Sequence, residues 1–131
     1  ERALEHDSGL LGVSGTDDVR ALLAREESGD ERAALALALF VRSAAAGIAE
    51  AATTLDTVEA VVFTGGIGEH AADVRSRICA RLGGLGVPEP QPTDVEGDSV
   101  VAVGRDGLAV IVVRAREDVM IAQAALASIH R

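Results

Sequence analysis

The chain has 131 residues, 21 acidic and 12 basic, giving a formal charge of −9. Every basic side chain is Arg, and the chain has no Trp or Tyr and only two Phe. An acidic surface without a basic cluster excludes a nucleic-acid or anionic-membrane binder, and the lack of aromatic platforms excludes base-stacking recognition. At 48% apolar residues the chain can bury a core, and that core must be built from Ala, Val, Leu and Ile.

Residues 1–16 read as a glycine-punctuated lead-in, and Thr16 or Asp17 can cap a first helix running to about Ser28. Gly29 suits the position just past a helix, and Asp30 caps the next one. Over 31–55 the apolar residues Leu37, Val41, Ala44, Ile48, Ala51 and Leu55 alternate in steps of four and three, which is one helical seam. The β-branched run at 58–64 predicts a strand, and the glycines at 65, 66 and 68 predict a turn. A helix over 71–83 follows, with Val74, Ile78, Leu82 and Leu85 inward and Arg75, Arg77 and Arg81 outward or flanking. Pro88, Pro90 and Pro92 mark an irregular loop. Two β-rich runs, 99–104 and 108–114, flank the turn residues Arg105-Asp106-Gly107 and predict a hairpin. A helix over 117–130 closes the pattern. No uninterrupted apolar run reaches the ~18 residues of a membrane span. Cys79, the only cysteine, reads as a buried, inert thiol on a helix, and no Cys/His cluster offers a zinc site. The cytoplasm is the expected compartment.

The segment at 58–70 carries the strongest chemical signal. A strand running into Gly65-Gly66-Ile67-Gly68 and then a helix brings backbone amides to one spot and leaves room for a phosphate or nucleotide to pass close. The same glycines also suit a tight connection with no ligand, and neither G-x-G-x-x-G nor G-K-[ST] is present. Glu117 and Asp118 have two readings as well. Two acids favour the first turn of a helix, and a carboxylate at a strand end can also hold Mg²⁺. Asp18 and Arg20 can form a capping acid with a solvated ion pair, or offer a ribose hydroxyl contact and a planar cation over a base.

Three strings resemble the acetokinase family, whose superfamily includes sugar kinases, heat-shock ATPases and actin. FTGGIGE at Phe63–Glu69 is similar to its adenosine-binding segment. SGLLGVSGTDDVR at 8–20 is similar to a glycine turn entering a helix through Asp-x-Arg, and EDVMIAQ at 117–123 is similar to the opening of its last helix. The resemblance implies a ribonuclease-H-like, actin-like α/β fold with a mixed sheet. It implies adenosine contacts at Asp18, Val19, Arg20, Gly65, Gly66, Ile67, Gly68, Glu69 and His70, and a magnesium-linked carboxylate at Glu117.

The implied ligands are ATP or ADP, Mg²⁺ and acetate, the reaction is reversible phosphoryl transfer to acetate, and the assembly is a homodimer. His70 stands where family members usually carry Asn, and Arg114-Ala115-Arg116 stands where they carry Pro-Thr-Asn. No catalytic residue falls within 1–131, because the family's phosphoryl-stabilising cations and acyl site belong to upstream segments. The expectation is a C-terminal, nucleotide-side portion lacking the N-terminal domain and the start of the C-terminal domain. Alternatives are a propionate kinase and a non-catalytic nucleotide-binding or dimerisation module.

Overall fold

Two aspartates open the first two helices in the same way. In the computed structural model, which describes residues 18–129, Asp18 caps α1 (Val19–Glu27) and Asp30 caps α2 (Glu31–Ala52). Each carboxylate accepts from the amides two and three residues on, at 3.0 and 3.2 Å. The first cap is therefore Asp18; Thr16 and Asp17 lie outside the described residues. Between the helices Gly29 takes φ +88°, a conformation costly for any residue with a Cβ. Arg25 then closes on Asp30 at 2.8 Å.

The buried stripe of α2 is Ala33, Ala36, Leu37, Val41 and Ala45. Ala44 and Ile48 are half-buried, whereas Ala51 and Leu55 are exposed, so the predicted seam holds only in its first half. The helix ends three residues early because the Thr53 and Thr54 hydroxyls donate to the Glu50 and Ala51 carbonyls, at 2.6 and 2.7 Å. By length and composition α2 could cross a membrane, with a mean hydropathy of 1.6. Here its small residues instead pack against α1 and α4.

The strands are β1 (Ala60–Phe63), β2 (Ser99–Val103) and β3 (Ala109–Val112), in the order β1-β3-β2. β1 runs parallel to β3, and β2 pairs antiparallel with β3 as the predicted hairpin, with an irregularity between Val100 and Ala102. One face of this mixed sheet is core: Val61, Val110 and Val112 are buried. The opposite face is open, with Val62 54% and Val100 61% exposed.

The glycine segment is not a plain turn. Gly65–His70 forms a short helix, α3, directly after β1, and α4 (Ala72–Arg81) follows from Ala71. A 3-10 turn at Gly83–Leu85 leads to the proline loop. Val74, Ile78 and Leu82 are buried as predicted, while Leu85 is half exposed. Arg75 is the opposite of the expectation: it is buried, 2% exposed. Cys79 is fully buried, and burial, helped by Glu89, pushes its thiol up to about 11. Arg77 reaches back to Glu26 through two hydrogen bonds of 3.0 and 2.7 Å, also pairs with Asp73, and so ties α4 to α1. The last helix, α5 (Glu117–Ile129), buries none of its residues.

Candidate nucleotide site

β1 ends at Phe63, and from there the chain must turn at once into α3. Gly65 makes the turn at φ +77°. Gly68 serves packing: a Cβ there would sit 3.2 Å from the Phe63 carbonyl carbon. Gly66 serves neither need. Its φ is not positive and a Cβ on it would meet nothing within 4 Å. The fold requires glycine at 65 and favours it at 68, whereas the space at 66 is open.

That space belongs to a cavity of about 280 Å³ lined by Asp18, Val19, Arg20, Gly66, Ile67, His70 and Ala71. The Asp-x-Arg and glycine strings, nearly fifty residues apart in sequence, thus border one cavity. Asp18 is exposed and its Oδ1 caps α1, while Arg20 and His70 are exposed. Val19 borders the cavity but is only 6% exposed and belongs to the core. Ile67 is half-buried against the same core.

Arg75 holds the segment from beneath. Its guanidinium donates to the Gly68 and Glu69 carbonyls, both at 2.9 Å, and to the Thr93 carbonyl at 3.5 Å. The Gly68 and Glu69 carbonyls end α3, where a cation satisfies acceptors that a six-residue helix leaves over. Burial pulls Arg75 below the usual guanidinium range and the nearby Asp94 opposes that pull. The polar character of Arg suggested solvent, and only the oxygen-lined pocket behind α3 explains its burial.

A second cavity, about 350 Å³, lies on the other side of Glu69 and His70, bordered by Glu96, Gly97, Val112 and Arg114. Glu69 faces the junction of the glycine segment and the chain leading into α5. Its Oε1 accepts from Gly65 N at 3.0 Å and from Ala115 N at 2.7 Å. The Ala115 bond is the largest cause of a carboxyl pKa held below its usual range; partial desolvation opposes it, while the Gly65 amide, His70 and Arg114 add to it. Asp98, the residue before β2, does the parallel work, accepting from Arg114 N at 2.8 Å and from the Arg116 guanidinium at 2.6 Å. Those contacts likewise hold the Asp98 carboxyl below its ordinary range. Glu117 follows directly, exposed at the first turn of α5 and bordering neither cavity. Among the described residues no three His, Cys, Asp or Glu side chains cluster as a metal site. Sequence reasoning missed Arg75 and Asp98; the short spacing from Asp98 to the hairpin was the only available sign of the latter.

A parallel β1–β3 pair that runs into a glycine-opened helix, with a cavity beside that helix, defines an α/β fold. Residues 1–123 match the Acetokinase family, and the chain belongs to that family. It is 39% identical over 127 residues to the acetate kinase of Thermosynechococcus vestitus, covering 95% of this chain and 31% of that one. The Porphyromonas gingivalis acetate kinase structure superposes with a TM-score of 0.79 at 28% identity, covering 92% of this chain and 31% of that one. A propionate kinase structure from Francisella tularensis gives 0.79 at 32% identity, covering 89% and 30%. The chain spans about a third of the length of the curated relatives it matches. The fold is the expected mixed α/β type of these kinases.

Proposed function

We propose that this chain supplies the nucleotide side of an acetate kinase, as its C-terminal portion, in an enzyme that interconverts ATP and acetate with ADP and acetyl phosphate. The observation that carries this is the cavity shared by Asp18, Val19, Arg20, Gly66, Ile67 and His70, with vacant space where a Gly66 Cβ would stand. In this reading the Arg20 plane covers adenine, Asp18 faces the ribose, and the backbone at Gly66 lets the nucleotide pass close. Gly65 and Gly68 shape the segment. His70 donates where the family usually has Asn.

Glu117 fits Mg²⁺ as a single exposed carboxylate, because this ion is commonly held by one or two carboxylates with waters and substrate phosphates. When bound, the ion neutralises charge developing on the phosphates. The cations that stabilise the transferring phosphoryl group, and the acyl pocket, come from the rest of the enzyme. The isolated chain therefore forms no acetyl phosphate. The enzyme is cytoplasmic and dimeric in this reading, with nucleotide and a small carboxylate as its partners.

Two experiments test the assignment. ATP added to the labelled chain should shift the amide signals of Arg20, Gly66 and Ile67; shifts confined to other residues would place the nucleotide elsewhere. In an assembled kinase containing this chain, Gly66→Val should raise KM for ATP by about tenfold or more with little change for acetate. Glu117→Ala should instead lower kcat and raise the Mg²⁺ requirement. Equal losses toward every ligand would contradict the separate roles.

A propionate kinase stands as the close alternative, supported by the Francisella neighbour. Parallel kcat/KM measurements with the two acids decide it. A dimerisation module is favoured by one different observation, the exposed Val62, Val100, Met120, Ile121 and Ile129. Such apolar area predicts self-association of the isolated chain. A monodisperse monomer in sedimentation at tens of micromolar would remove that support.

A further inference from the structure

We infer that Glu69 is a positioning residue that locks the entrance of α5, and with it Glu117, to the glycine segment. The main-chain pairing between β1 and β3 reaches its last bond at Val113 N to Phe63 O, 2.9 Å. Beyond it the two chains diverge, one into α3 and the other toward α5. Among the described residues no main-chain bond joins them further, and the Glu69 carboxylate takes over. One oxygen, Oε1, accepts from Gly65 at the start of α3 and from Ala115 two residues before Glu117. Glu69 and Ala115 lie 46 positions apart in the sequence.

Glu69 is itself held at its other end. Its carbonyl accepts from the buried Arg75 guanidinium at 2.9 Å, and its side chain is 13% exposed. A carboxylate anchored in this way cannot follow a ligand without releasing an amide. The other oxygen, Oε2, is 3.9 Å from His70 Nε2. Beside the nucleotide contact that the resemblance implies, Glu69 thus has a role exerted through the backbone. Resting on the proposed function, this makes the nucleotide cavity and the metal-directed carboxylate a single mechanical unit. The lock itself is a property of the chain and holds without any ligand.

Length and charge separate this role from a purely electrostatic one. Glu69→Gln keeps the reach and an oxygen that can accept twice, while Glu69→Asp keeps the charge but is one methylene short. Amide hydrogen exchange, read residue by residue in the labelled 131-residue chain, reports both bonds directly. Glu69→Asp should accelerate exchange at Ala115 by about tenfold or more, and Glu69→Gln by no more than about threefold. Equal acceleration in the two variants, or a larger effect in Glu69→Gln, would overturn the proposal, as would acceleration at Gly65 alone in Glu69→Asp. Val110, deep in β3, is the control: a matching acceleration there would mean general loosening, and would also overturn it. The measurement needs no nucleotide, so its outcome is separate from that of the kinase reading.

Discussion

The glycine segment and the segment 114–116 meet at one carboxylate oxygen but are held by opposite means. The first is backed by core: Gly68 lies against Phe63, Ile67 packs on the buried cluster, and Arg75 grips two carbonyls from below. The second is exposed and has no apolar packing of its own. It hangs on two carboxylates, Glu69 and Asp98, which hold the Ala115 and Arg114 amides. A segment fixed by burial fails when packing or a buried partner is removed. One fixed by carboxylates fails when they are protonated. The contrast places the side proposed for the nucleotide under the control of packing, and the side proposed for the metal under that of two carboxylates.

The largest expected effect breaks the first segment from beneath. Arg75→Met leaves the Gly68 and Glu69 carbonyls buried without their donor, and should cost roughly 3 kcal/mol in urea denaturation with an unchanged m-value. A cost near zero would mean that water replaces the guanidinium. Gly68→Ala comes next. Its Cβ presses on backbone at 3.2 Å, so about 1–2 kcal/mol is expected, with a visible shift in the Phe63 amide signal.

The second segment should respond to acid instead. Both tethering carboxyls have folded pKa values below their ordinary ones of 4.5 for Glu69 and 3.8 for Asp98. Their contribution is complete above those ordinary values and is lost as pH falls through the lowered ones. The Ala115 amide signal should therefore titrate below pH 4.5 and the Arg114 signal below pH 3.8, while the signals of Val61 and Val110 stay put over that first step. Titration above the ordinary values would show that the tethers do not form. The smallest effect sharpens the comparison: Gly66→Ala should change stability by no more than about 0.5 kcal/mol, because its Cβ enters open space. A large loss there would mean that the fold, rather than a ligand, needs that glycine.

The order and type of the elements were legible because apolar spacing and capping residues are local signals. Asp30, Gly29 and the Arg105–Gly107 hairpin turn stand where those signals put them. Three glycines concealed a helix at 65–70, since propensity cannot anticipate that Glu69 reaches back to the Gly65 amide. Arg75 read as outward because its partners are carbonyls on α3 and the proline loop, which no pattern along α4 reveals. The candidate site was legible as strings with family likeness. That Asp18 and Gly66 border one cavity, and that Glu69 and Asp98 share the work of holding 114–116, are facts of topology. Residues 8–17 of the string SGLLGVSGTDDVR lie outside the described residues.

Cys79 offers a clock. It is the chain's sole thiol, fully buried on α4 within the core cluster, and its ionisation is pushed up to about 11. Alkylating reagents attack the thiolate, so at neutral pH the closed molecule is protected twice, by access and by protonation. Labelling then proceeds only through the fraction of time the core stands open, and its rate divided by that of an unstructured cysteine gives the opening equilibrium directly. The protein thus carries a built-in gauge of whether docking to a larger assembly steadies its interior.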